Sequence, residues 1–231
     1  MKRLSAVAVA VVLCLGVSSS FASFDYFTVA EQGTGEVKFG LAGDEGLEFK
    51  IRYSPMEKLE IFSAHGGATE SSNSNFVLGA RYQIMDMLAG FLNVDMPTMA
   101  GMGNNEFALV PGVNFTTSFA DKFTLGSVLQ LGIFFTDPSI MDLTVGVELD
   151  YAVNDNISAW VGVDFVYANM TADGRELKMD EENALRPVLG VTFSGDHVYV
   201  GTKLGLCLNH IDVKGKSALG GWGGVEFGIK F

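Results

Sequence analysis

From residue 36 onward apolar and polar side chains alternate with a period of two, the mark of strands with one oily and one polar face. One parity is almost wholly apolar, as in Val37, Phe39 and Leu41, in Leu47, Phe49, Ile51 and Tyr53, and in Val161, Val163 and Phe165. The other parity collects the charges: Glu36, Lys38, Glu48, Lys50, Arg52, Glu60, Arg81, Asp95, Glu148, Asp150, Asp164, Arg186, Lys203, Glu226 and Lys230. Five segments repeat one theme, an aromatic residue followed by a few turn residues and a new alternation. They run from Tyr53 to Leu59, Tyr82 to Leu88, Phe119 to Phe123, Tyr151 to Ile157 and Phe193 to Val198. Six further connections separate them: Gly43 to Gly46, Gly66 to Ser74, Met96 to Asn105, Thr136 to Ser139, Asn169 to Asn183 and Asn209 to Ser217. Five tight turns on one side and six loops on the other predict twelve strands, beginning near residues 36, 47, 58, 75, 87, 106, 122, 140, 156, 184, 197 and 219. An even number of antiparallel strands can close on itself, so the fold class is all-β, a closed antiparallel barrel.

Alternation alone fits a water-soluble sandwich as well as a barrel in lipid, and the two ends of the chain separate them. At the carboxy end, Gly223 to Phe231 places Val225, Phe227, Ile229 and Phe231 on one face. This resembles the carboxy-terminal signature of Gram-negative outer-membrane β-barrels, which the barrel assembly machinery reads. At the amino end, Met1-Lys2-Arg3 precedes an apolar run from Leu4 to Val17, and Ser20-Phe21-Ala22 offers small residues where a signal peptidase cuts. The run is shorter than the roughly 20 residues a membrane-spanning helix needs. The expected organisation is a signal peptide at 1–22, a short periplasmic segment at 23–35 and a transmembrane barrel at 36–231. Outer-membrane lipid and lipopolysaccharide then surround it, and the aromatics before each tight turn, Tyr53, Tyr82, Phe119, Tyr151 and Phe193, form an interfacial girdle.

Composition narrows the picture further. Loss of Lys2 and Arg3 with the signal takes the formal charge from −12 to −14, which argues against nucleic acid as a partner. Cys14 leaves with the signal, so Cys207 has no internal disulfide partner. On the inward parity, Lys38, Lys50, Arg52, Arg81, Arg186, Lys203 and Lys230 come from strands 10 to 12 and 1 to 4, with Glu36, Glu48, Glu60 and Glu226. Strands 5 to 9 supply Asp95, Glu148, Asp150 and Asp164 and no base. Opposite walls of opposite charge would set a transverse field across a water-filled lumen. Inward glycines, among them Gly79, Gly112, Gly190, Gly201 and Gly228, are expected to leave space there. Pro111 and Pro187 fall inside strands 6 and 10, where a missing N–H predicts a bulge.

Over much of residues 31 to 168 the chain also resembles the outer-membrane family described as transporters of the phenol-degradation MetA-pathway type. The resemblance is carried by Gln32-Gly33-Thr34-Gly35, Ile51-Arg52-Tyr53, Leu59-Glu60-Ile61, Leu78-Gly79-Ala80-Arg81-Tyr82, and Glu148-Leu149-Asp150-Tyr151 running into Asn154-Asp155-Asn156. It implies passive uptake of small molecules. The resulting expectation is a non-enzymatic, porin-like channel for small solutes without cofactor or metal, its lumen lined by Lys50, Arg52, Arg81, Glu148, Asp150, Asp164 and Lys203. One alternative is a closed barrel with a structural or surface-binding role through its outer loops. Another is an enzyme at the outer rim, for which His65 near Ser63, His210 and His197 are the histidines on offer; parity turns Ser63 and His65 toward lipid, away from any paired geometry. The acidic connection from Asn169 to Asn183 lacks the order of a calcium loop. Met96, Met99 and Met102 recur every third residue with no Cys or His beside them, which favours an apolar loop over a copper site.

Overall fold

A computed structural model describes residues 31–42, 46–67, 74–97, 107–135, 140–171, 183–210 and 218–231. The expected signal peptide, most of the segment before the first strand, Met99, Met102 and most of the acidic connection lie outside the described residues. Twelve strands form one closed antiparallel barrel in which each strand pairs with its sequence neighbours and β1 closes on β12. They are β1 Gly35–Ala42, β2 Gly46–Met56, β3 Leu59–Gly67, β4 Ser74–Met85, β5 Leu88–Pro97, β6 Ala108–Phe119, β7 Phe123–Phe134, β8 Ile140–Asn154, β9 Ile157–Thr171, β10 Asn183–Ser194, β11 Val198–His210 and β12 Ala218–Lys230. Every expected start falls within two residues of the observed one, because turn residues and a parity change mark each boundary.

Closure depends on the last residues of the chain. Val37, Phe39 and Leu41 pair with Ile229, Phe227 and Val225. Beyond the ladder, Gly35 N–H donates to the Phe231 carbonyl at 2.8 Å and Phe231 N–H returns a bond to Gly35 at 3.0 Å. A Cβ at Gly35 would collide with the Phe231 ring. The terminal aromatic therefore latches the seam, and Val225, Phe227, Ile229 and Phe231 are all exposed on the outer face.

Tight turns are built by local chemistry. Lys58, Ala120 and Asp121 adopt φ of 69°, 51° and 49°, the left-handed twist that short hairpins require. Gln83 Nε2 donates to the Asp86 carbonyl at 2.9 Å, and Asn156 N–H donates to Asn154 Oδ1 at 2.9 Å. Register shifts lie beside these turns, at Tyr53/Met56, Gln83/Met85 and Ala152/Asn154, with a further one at Met141/Asp142.

The bulges expected at Pro111 and Pro187 do not occur. Leu109 pairs with Ile133 and Gly112 with Gln130, so the β6–β7 register is the same on both sides of Pro111. Leu185 with Leu208 and Val188 with Gly205 show the same continuity around Pro187. Each proline keeps its other neighbour, Leu92 and Val163 respectively. In an antiparallel ladder a residue sends its N–H and C=O to one side only. One missing N–H thus removes two adjacent pairings on that side and leaves the chain in step.

The outer face is apolar from rim to rim, with Phe39, Leu47, Leu92, Leu129, Val161, Leu189 and Leu204 all exposed. Tyr53, Tyr82, Phe119, Tyr151 and Phe193 are exposed at the tight-turn end, where a girdle is expected. Part of it is continuous: Phe123 stacks on Phe119 at 5.5 Å and meets Tyr151 at 4.9 Å, with Lys122 Nζ 5.9 Å from the Tyr151 ring. The wall is uneven, since β1 has 8 residues and β8 and β9 have 15 each.

Candidate functional site

The inner face is where the charges are, and register fixes who meets whom. Lys50, Arg81 and Asp164 are buried at 8%, 4% and 7% exposure, whereas Arg52, Glu148, Asp150 and Lys203 are partly exposed on the same face. In β1 to β4 and β12 the cations Arg52, Lys38 and Arg81 are matched by carboxylates at short range. Arg52 Nε donates to Glu36 Oε2 at 2.8 Å, and Tyr199 Oη donates to the other Glu36 oxygen. Lys38 Nζ lies 3.4 Å from Glu226 and 3.8 Å from Glu48. Arg81 lies 3.3 Å from Glu60, which has no exposed surface at all. Charge taken out of water is tolerated when it is paired, and Arg52, Lys38 and Arg81 each have a carboxylate within ion-pair reach.

Buried polar atoms without a hydrogen-bond partner occur on both walls: Ser54 Oγ, both Glu60 oxygens and Arg81 Nε on β2 to β4, and one carboxylate oxygen each of Asp95 and Asp150, the Asn93 and Asn114 amide oxygens and the Thr144 hydroxyl on β5 to β8. Asp150 faces Thr124 on β7 and Trp160 on β9, and Glu148 faces Gly126 and Gly162. Asp164 stands directly opposite Arg186 across β9 and β10. The division of charge between the walls therefore runs between these two strands, through a cross-strand pair of opposite sign that parity alone does not reveal.

Five inward glycines, Gly79, Gly112, Gly190, Gly201 and Gly228, do not leave empty space, against the expectation for them. Phe62 pairs with Gly79, Phe91 with Gly112, Trp160 with Gly190 and Tyr199 with Gly228. In each pair a Cβ on the glycine would run into the ring opposite. Gly201 is covered in the same way by Glu226. Two of the rings also carry a lysine: Lys50 Nζ is 5.2 Å from the centroid of Phe62 and Lys230 Nζ is 5.4 Å from that of Tyr199. Parity places the four aromatics inward, but only register pairs each with a glycine, so the sequence signal was half present.

At the tight-turn mouth a recess of about 390 Å³ opens among Glu31, Arg52, Ser54, Glu60, Asp196, His197 and Lys230. Its floor is tied by Gly33 N–H to the Ser54 carbonyl at 2.8 Å and Ser54 N–H to the Thr34 carbonyl at 3.0 Å. His197 lies exposed on this rim, far from Ser63 and His65, which sit on the outer face beside Ile51, Leu78, Phe49 and Phe76. The side chain of His210 lies outside the described residues. Among the described residues no group of three His, Cys, Asp or Glu side chains is placed to hold a metal ion.

Neither protein-family models nor curated proteins match the sequence. Solved structures do match the fold. The crystal structure of an outer membrane channel from Pseudomonas putida F1 superposes with a TM-score of 0.64 at 10% identity, covering 92% of this chain and all of that one. The NanC porin gives 0.57 at 8% identity, covering 85% and 98% of the two chains. The KdgM porin gives 0.54 at 9%, covering 86% and 99%. At these identities the likeness is one of fold: this chain has the architecture of outer-membrane β-barrels.

Proposed function

We propose that the chain is a passive channel of the outer membrane for small solutes, delivered there by its amino-terminal signal and seated in lipid and lipopolysaccharide. The observation that carries this reading is the inversion of polarity, with an apolar row facing outward on every strand and charged residues on the inner face. A wall of that kind is stable in a bilayer because closure satisfies every strand edge, and its inner face suits water and solutes. The three similar folds are described as an outer membrane channel and two porins, which supports the same reading. Within this class the Ile51-Arg52-Tyr53 and Leu78 to Tyr82 stretches favour the small transporters of the MetA-pathway type.

Glu148, Asp150 and Asp164 gather three carboxylates on the inner face of β8 and β9, while Lys38, Arg52 and Arg81 on the other wall lie close to Glu36, Glu48, Glu60 and Glu226. Carboxylates gathered on one wall favour cations along the permeation path, and the channel prefers cations. Conductance of the refolded chain in a planar bilayer, under a salt gradient, tests both parts. Stable steps with a cation-selective reversal potential support them, and a folded barrel that stays silent overturns passive permeation.

A further inference from the structure

The four rings that cover glycines are spread around the barrel but not along it. Strand tilt is steep: from Ala42 at the outer end of β1, successive partners Gly224, Lys203, Gly190, Trp160, Asp150, Thr124 and Ser118 lead to the tight-turn end of β6. At a tilt of roughly 35–45° a horizontal line moves about 1 to 1.5 residues along each successive strand. Phe62 leads through Gly79 to Asn93 on β5, and Phe91 lies two residues nearer the tight turns, two strands on. Phe91 leads through Gly112, Gln130 and Thr144 to Val166 on β9, and Trp160 lies six residues nearer, four strands on. Phe62, Phe91 and Trp160 thus share one height. Tyr199 lies four residues from Lys203, two strands beyond Trp160, and so sits slightly closer to the periplasmic mouth.

We propose that Phe62, Phe91 and Trp160, with Tyr199 just below, form an aromatic collar that sets the girth of solute the lumen admits. Each ring lies against a cross-strand glycine because a larger residue there would lift it off the wall, and a lifted ring would enter the lumen. Glycine and ring form one device: the missing side chain seats the ring, and the ring sets the bore. The collar acts on solute width, whereas the carboxylates act on charge. This inference rests on the channel reading for its physiological meaning, yet its test does not depend on the native channel being open.

The experiment measures single-channel conductance and the size of polyethylene glycol that still lowers it, on refolded barrels whose folded state is confirmed by heat-modifiable electrophoretic migration. Phe91→Ala/Trp160→Ala widens the collar, with Phe91→Leu as the milder variant should the double change impair folding. Gly79→Ala narrows it, since the three atoms nearest the added Cβ belong to the side chains of Phe62 and Asn93 and the ring can yield. The expected result is a rise of about twofold in conductance with a larger polymer cutoff on truncation, and a fall in both with Gly79→Ala. If the native barrel is silent, passive permeation fails, but conductance appearing on ring truncation still supports the collar. Folded variants that keep the native conductance and cutoff overturn it, as does a truncated barrel that stays silent.

Discussion

The two halves of the inner wall solve the same problem in opposite ways. In β12 and β1 to β4 cations lie against carboxylates or a ring: Arg52 on Glu36, Lys38 on Glu48 and Glu226, Arg81 on Glu60, Lys50 on Phe62. In β5 to β9 the inward parity supplies Asp95, Glu148, Asp150 and Asp164 and no base of its own, and the facing cation Arg186 comes from β10. Ion pairing across strands holds them together, and a buried oxygen without a hydrogen-bond partner costs stability wherever it stands. The difference teaches that formal charge is a poor guide to what a lumen presents; what counts is which charges are already spoken for.

The largest break of this comparison comes from Arg81→Met. It strands Glu60, which has no exposed surface, so the barrel should lose about 3–5 kcal/mol, the usual cost of orphaning one half of a buried pair. Urea unfolding in detergent micelles reads that loss, and a native midpoint would show the pair to be dispensable. On the other wall, Asp150→Asn should not lower the midpoint, since it neutralises a carboxylate that already has a buried oxygen without a hydrogen-bond partner. Neutralising Glu148, Asp150 and Asp164 together should move the reversal potential toward zero selectivity. An unchanged reversal potential would remove the acid wall from ion choice. A modest effect belongs to Pro187→Val, which restores a donor to the β10–β11 ladder and should add about 0.5–1.5 kcal/mol, visible as slower amide exchange at Leu206 and Cys207.

Much of this architecture was legible in the chain because strands in lipid obey two simple constraints, a face that alternates and turns that must be short. Tyr53, Tyr82 and Tyr151 stand where alternation and turn chemistry jointly require them, and the structure finds them exposed at one rim. What escaped the sequence were relations between strands. Nothing in Gly112 or Phe91 alone says that they are opposite one another, nor that Asp164 faces Arg186. Those facts depend on register, which the bulges beside the turns at Tyr53, Gln83 and Ala152 adjust by a residue at a time. The prolines mislead for a related reason. A proline whose absent donor falls on one ladder only can be absorbed without a change of step, so its presence in a strand marks a weak seam rather than a bend.

The unequal strands carry a last consequence. With 8 residues in β1 and 15 in β8, the wall stands about 20 Å tall on one side and about 40 Å on the other at ordinary strand rise and tilt, against an apolar band of about 25 Å in such barrels. A cylinder so lopsided cannot match a sheet of constant thickness all the way round. In the proposed outer-membrane setting the lipid would thin against the short strands β1 and β3 while β8 and β9 stand proud of it, which gives the barrel a front and a back in the plane of the bilayer.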